Sequence, residues 1–274
     1  MCASKVADAG GAHARRSGTA LVAQSAGELT LRLLPKAPYE AAYTATAALI
    51  GFAFESQSGD HAFGCDGRTR FRRLPNTLSF VPPGCDVFSR SSEGGEYLLI
   101  ESERSMGFPS RLVNDVMSPA AITIAIELRR LLLARARDDV AAEGLALSLI
   151  EALRDATDAP HPETGRRGWM SRERLVFVDE LILSRLAGPL SVCEMASALG
   201  VSSGFFIRQF KSYVGRTPHD YLIEHRLSRA RQLLAGCRDS IAVVAADCGF
   251  SSQAHMTDCF RRRLGLSPRQ FRLR

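Results

Sequence analysis

The side chains here that could do chemistry are mostly arginines. The chain has 274 residues, with 35 Lys and Arg against 29 Asp and Glu, a net of +6. From Ser171 onward there are 16 basic and 9 acidic residues, a net of +7, so the last part of the chain holds the whole excess. Lys5, Lys36 and Lys211 are the only lysines. Guanidinium groups make charge-assisted hydrogen bonds to phosphate, so a polyanion is the expected partner of that basic half. Other chemistries lack their residues. There is no P-loop, GxSxG, HExxH or dinucleotide fingerprint. The seven cysteines (Cys2, Cys65, Cys85, Cys193, Cys237, Cys248 and Cys259) form no CxxC pair and no zinc-spaced set. They are expected to be reduced and mostly buried, with a sensing role for Cys65 or Cys85 as the lesser reading. No cofactor and no metal is expected.

The elements that must position the arginines include an internal repeat. Ser191–Leu222 and Ser240–Arg272 align, with Ser191 on Ser240, Ala196 on Ala245 and Gly200 on Gly249 at an offset of 49. Val201-Ser202-Ser203 falls on Phe250-Ser251-Ser252 at the same offset. Phe210, Gly215, Pro218 and Tyr221 then fall on Phe260, Gly265, Pro268 and Phe271 at an offset of 50, which suggests one residue inserted early in the second copy's second helix. In each copy a Ser caps a short helix, a Gly ends it, and Ser202 or Ser251 caps a second helix. Helix, Gly-containing turn, helix is the helix-turn-helix pattern. A helix over Pro218–Ala235 joins the copies, and Ser267-Pro268-Arg269-Gln270 fits a capping box.

Residues 171–274 resemble the C-terminal DNA-binding domain of the AraC family (AraC/XylS type) of bacterial transcriptional regulators. The resemblance is carried by Ala196, Gly200, Ser202, Phe210-Lys211, Gly215, Thr217-Pro218, Arg226-Leu227, Ile241, Ala245, Gly249-Phe250, Phe260-Arg261, Gly265 and Ser267-Pro268. It implies two helix-turn-helix units, about 191–213 and 240–263, whose second helices enter successive major grooves of double-stranded promoter DNA. By that alignment Gly204, Ile207 and Arg208 face the groove from the first unit, and Gln253, Ala254, His255 and Asp258 from the second. Arg208 is the best base reader, since a bidentate Arg–guanine contact discriminates by about 1–3 kcal/mol. Ser202, Lys211, Ser251, Arg261 and Arg262 are the expected phosphate contacts. Phe206, Phe210, Met256 and Phe260 are expected in the core; Phe205 is either at the DNA or packed.

The N-terminal half reads differently. Residues 1–27 suggest a flexible tail. Alternation or short apolar runs over Glu28–Leu34, Ala47–Phe54, Arg68–Leu74, Leu78–Val81, Val87–Arg90 and Tyr97–Glu101 predict strands, separated by clusters such as Gly59-Asp60 and Pro82-Pro83-Gly84. Helices follow over Ala120–Ala136 and Asp139–Ala156. The second bears the stripe Leu145, Leu149, Leu153, a dimerisation candidate or a docking face. Pro160, Pro162, Gly165 and Gly168 mark a linker over 159–170, and Ser171 caps the next helix.

The expected fold class is α+β in two domains. A cupin-like β-domain with two amphipathic helices (28–158) precedes an all-α domain (171–274) of two helix-turn-helix units joined by a long helix. His61 is the only histidine between 28 and 104, too few for a metal-dependent cupin enzyme. The reading is a sequence-specific, non-enzymatic regulator, preferably an activator, modulated by a small-molecule effector of unknown site or by dimerisation. By the resemblance, RNA polymerase and a second copy of the chain are further partners. The alternatives are a cupin-like enzyme fused to a basic helical domain, or an effector-independent architectural DNA binder. The sequence shows no signal peptide or membrane span, so a cytoplasmic location is expected.

Overall fold

A computed structural model of the chain describes residues 20–104, 107–134, 137–158 and 168–273. Ten strands come first among them: β1 (Val22–Ala26), β2 (Leu29–Leu34), β3 (Tyr39–Thr44), β4 (Ala48–Ala53), β5 (Gln57–Phe63), β6 (Thr69–Arg73), β7 (Thr77–Val81), β8 (Asp86–Ser91), β9 (Tyr97–Ser102) and β10 (Val113–Met117). They form two antiparallel sheets, ordered β1-β2-β9-β4-β7-β10 and β3-β8-β5-β6. Helices α1 (Pro119–Leu132) and α2 (Asp139–Asp158) follow.

The alternation read in β2 decides where the core sits. Leu29, Leu31 and Leu33 point one way with Ile50, Phe52, Leu98 and Ile100, and pack into one cluster with α1 and α2. The main core therefore lies between the larger sheet and the helices. The space between the two sheets is lined by Leu49, Phe63, Val81, Val87 and Leu99 and holds a polar cluster, with Tyr97 hydroxyl 2.6 Å from Ser79 Oγ and Arg73 3.2 Å from the same phenol. It keeps a cavity of only about 80 Å³. Leu149 and Leu153 are fully buried in this chain's own core, with Leu145 packed against it. This corrects the dimerisation candidacy of that stripe, because its apolar face is already covered by the sheet and α1.

Other expectations change too. Residues 1–19 lie outside the described residues, but Val22–Ala26 is a strand paired with β2 and not tail. Gly59 and Asp60 lie inside β5 and do not separate strands. Of the expected linker, residues 159–167 lie outside the described residues; Met170 is buried in the first unit, so the chain is packed before Ser171. Cys65 and Cys193 are exposed and Cys85 half-buried, against the expectation of mostly buried thiols; Cys2 is outside the described residues. Burial pushes the Cys248 thiol up to about 11.

The C-terminal part is helical: α3 (Arg172–Ser184), α4 (Val192–Ala198), α5 (Ser203–Val214), α6 (Pro218–Gly236), α7 (Ile241–Asp247), α8 (Gln253–Leu264) and α9 (Pro268–Arg272). The caps are local and legible. Ser191 and Glu194 form a capping box on α4, Thr217 caps α6 with Pro218 following, and Ser267 with Gln270 boxes α9. Ser252, not Ser251, caps α8, accepting from the His255 amide. Ser202 caps α5, so the two caps differ by 50 while Gly200 and Gly249 differ by 49. The inserted residue therefore lies in the turn of the second unit, where it disturbs no helical hydrogen bond.

Candidate nucleic-acid interface

In each unit a short helix precedes a tight turn through a left-handed glycine, Gly200 (φ 69°) or Gly249 (φ 75°), and then the second helix. In the first unit Phe206, Phe210 and Val214 bury one face of α5; in the second Met256, Cys259, Phe260 and Leu264 bury one face of α8. That burial turns the opposite faces outward. With the offset of 50, Gly204 is equivalent to Ala254, Arg208 to Asp258 and Lys211 to Arg261.

Gly204, Ile207, Arg208 and Lys211 are exposed on α5, and Gln253, Ala254, Asp258, Arg261 and Arg262 on α8. The absent side chain at Gly204 leaves room for Arg208, whose Nη1 lies 3.6 Å from where a Cβ would stand. Asp258 is held at 2.6 Å by Arg262, one turn on, so a cytosine amino group has to compete with that pair. Both groups are exposed, and such pairs are worth about 0–1 kcal/mol, so the competition is open. His255 is turned aside: it is half-buried, its Nδ1 is 3.0 Å from Ser251 Oγ, and its ring meets Phe250 edge-on. Its equivalent in the first unit is Phe205, which packs on Trp169 at 5.2 Å; this position serves packing in both copies. Ser202 and Ser251 are exposed at the helix starts. Arg263 is engaged inside the protein, 2.5 Å from Asp220 and 3.6 Å from Glu224.

The spacing between units is set by α6. Nineteen residues at a rise of about 1.5 Å give about 28 Å. The β-domain braces the same geometry. Gly215 and Gly265 end the two outward-facing helices in left-handed conformation, at φ 78° and 72°. A Cβ at Gly215 would stand 3.2 Å from Pro119 Cα, and one at Gly265 3.2 Å from Arg130 Cγ. Pro119 and Arg130 lie at the two ends of α1, so one helix of the β-domain touches the end of both units.

Sequence reasoning missed the junction behind this brace. Arg129 of α1 is fully buried, 3.0 Å from Glu96 Oε2 and 2.7 Å from Glu224 Oε1 on α6. Arg231, two turns further along α6, reaches Glu55 at 2.8 Å and Glu96 at 2.9 Å. Burial alone would raise the Glu224 carboxyl, but Arg129, Arg216, Arg231 and Arg263 outweigh it and hold it below the usual carboxylate range. Burial pushes Arg216 down to about 10 and lifts Glu96 above its ordinary value despite its two arginines. The available signal was charge on an apolar stripe: Glu224 and Arg231 share a face of α6 with Leu227 and Leu234. Among the described residues no group of three His, Cys, Asp or Glu could hold a metal, and no helix is long and apolar enough to cross a membrane.

Paired helix-turn-helix units on one rigid helix, with basic outward faces, define a DNA-binding type of domain. Residues 195–274 match a family described as a helix-turn-helix domain. A probable transcriptional regulator, LumQ of Photobacterium leiognathi, is 37% identical over 102 residues, 37% of this chain and 41% of that protein. The transcriptional regulator ArgR of Pseudomonas aeruginosa is 32% identical over 124 residues, 45% of this chain and 38% of that protein. The crystal structure of a transcriptional regulator with an AraC-type DNA-binding domain, from Chromobacterium violaceum, is 37% identical over 37% of this chain and 90% of that one, with a TM-score of 0.35. The C-terminal part of this chain is a helix-turn-helix domain of the AraC/XylS family. The chain spans about two fifths of the length of the curated relatives it matches, and those relatives are transcriptional regulators, not enzymes.

Proposed function

We propose that this protein is a sequence-specific DNA-binding transcription regulator. The observation that carries the reading is the pair of exposed faces on α5 and α8, open to solvent while the β-domain is docked behind them. Arg208 reads guanine, Ile207 offers apolar contact to a thymine methyl, and Gly204 and Ala254 allow close approach. Gln253 reads adenine and Asp258 accepts from cytosine when Arg262 releases it. Ser202, Ser251, Lys211, Arg261 and Arg262 bind phosphates. The protein works in the cytoplasm on double-stranded promoter DNA, preferably as an activator that engages RNA polymerase, and as a homodimer. A small-molecule effector acts through the β-domain: α1 touches the ends of both units, so a shift of the β-domain changes their relative placement.

Selection of binding sites from random duplex DNA by the purified full chain tests this. Two short conserved elements, about 10 base pairs apart centre to centre, are expected. Binding without enrichment of any sequence sinks the regulator reading in favour of an architectural DNA binder.

A further inference from the structure

The chain's only tryptophan, Trp169, stands just ahead of α3 and packs edge-on against Phe205, with ring centroids 5.2 Å apart. Phe205 follows Gly204 in the first turn of α5, the end of that helix that enters the groove in the reading above. Arg174 of α3 lies over the indole at 4.7 Å and donates to the Trp169 carbonyl. The tryptophan thus holds a guanidinium beside the start of α5. In the second unit the position of Phe205 is His255, bonded to Ser251, and the position of Arg174, third after the helix cap, is Asp220, bonded to Arg263. The stacked cation belongs to the first unit alone.

Among the described residues no acid neutralises Arg174, which is exposed, while Arg172 and Arg185 at the two ends of α3 are held by Asp115 and Glu194. Glu173, next in the chain, projects about 100° away round the helix. Arg174 also stands where the helix dipole disfavours a cation, in the first turn after the cap Ser171. The same position holds Glu194 in α4, Asp220 in α6 and Gln270 in α9, each bonded back to its own cap. In α3 that bond is given up for a stacked guanidinium facing solvent. The groove shows what it would meet there. A helix about 10–12 Å across fills a major groove about 12 Å wide. Phe205 is about 100° round α5 from Gly204, so its side faces the wall of the groove and not its floor. That wall is a phosphate strand, and Trp169 and Arg174 lie on that side.

We infer that Trp169 and Arg174 grip the DNA strand that flanks the first recognition helix. Arg174 donates to a backbone phosphate, and Trp169 is the positioning residue that holds the guanidinium in place. This rests on the reading of α5 as a groove-entering helix. It adds a contact from outside the helix-turn-helix units, made in one half of the binding site only.

The test uses the full chain and a duplex carrying the site it selects from random DNA. Arg174→Ala should weaken binding about tenfold, the loss for one charged hydrogen bond, and leave the preference at every base unchanged. It should also shallow the salt dependence by about one counterion, whereas Arg174→Lys should keep the native slope. Trp169→Leu should weaken binding by itself and add nothing to Arg174→Ala, because it acts through that side chain. Trp169 is the sole indole, so its fluorescence reports on this place alone, and the bound duplex should shield it from quenching by acrylamide. Unchanged affinity and salt slope in Arg174→Ala, or quenching that the bound duplex does not reduce, overturns the inference and leaves the regulator reading standing. So does a loss confined to one base pair, or a loss that comes with a lower melting temperature and an unchanged salt slope. Failure of the native chain to bind any duplex overturns both.

Discussion

Replacing Arg129 by methionine tests whether the buried junction holds the two halves together. The guanidinium is fully buried, links Glu96 at 3.0 Å to Glu224 at 2.7 Å, and lies 4.4 Å over the Phe54 ring. Methionine fills much of the volume but leaves two buried acids with one fewer cation. Removing one partner of a buried ion pair costs about 3–5 kcal/mol. Here Glu96 keeps Arg231 at 2.9 Å, and Glu224 keeps Arg263 at 3.6 Å and Arg216 at 3.8 Å. The low end, about 3 kcal/mol, therefore applies. At about 2–4 °C per kcal/mol for a domain of this size, the melting temperature should fall by about 6–12 °C. Thermal melts of the full chain by circular dichroism measure this, for Arg129→Met, Glu224→Gln and the double variant. Residues in contact couple by about 0.5–3 kcal/mol, so the double variant should lose less than the sum of the singles. A fall under about 3 °C, equivalent to about 1 kcal/mol, together with additive singles, would refute the argument that this network braces the fold.

Arg208→Ala should relax discrimination at one position of the site by about 1–3 kcal/mol, read by competition binding; equal discrimination at every base removes Arg208 from readout. Lys211→Ala should weaken binding to all sequences alike and shallow the salt dependence by about one counterion, and a site-selective loss would mean it touches a base. Leu149→Ala should cost about 2–5 kcal/mol of stability in urea melts, with no change of oligomeric state in sedimentation, because the side chain fills this chain's own core. Glu194 is held down to about 2, first by the Ser191 backbone N–H and then by Arg185 and the Ser191 hydroxyl. Its folded value is below the unfolded value near 4.3, so its contribution is full above about pH 4.3 and lost as pH falls toward 2. Melts of Glu194→Gln should lack that part of the acid dependence, and an unchanged acid limb would discount the capping box.

The sequence by itself determined what depends on neighbours along the chain. Caps, left-handed glycines and the buried phenylalanines of α5 and α8 are set within a few residues, so both helix-turn-helix units and the exposure of Arg208 were readable. The strands β2, β4 and β9 showed because their inward residues are large and apolar. β3 and β5 were missed because neither carries a run of large apolar residues: Ala41 and Ala42 stand in one, and Ser58, Gly59 and Asp60 in the other. The tertiary structure alone decided which partner covers a face. The stripe Leu145, Leu149, Leu153 is apolar whether it meets another subunit or its own sheet, and only the fold places the sheet there. It also decided which arginines are free. Arg262 and Arg263 are adjacent and identical in type, yet the helical turn exposes one and carries the other to Asp220 and Glu224. Arg129, Glu96 and Glu224 are far apart in sequence, and a buried ion network forms only where packing brings its members within bonding distance while water is excluded.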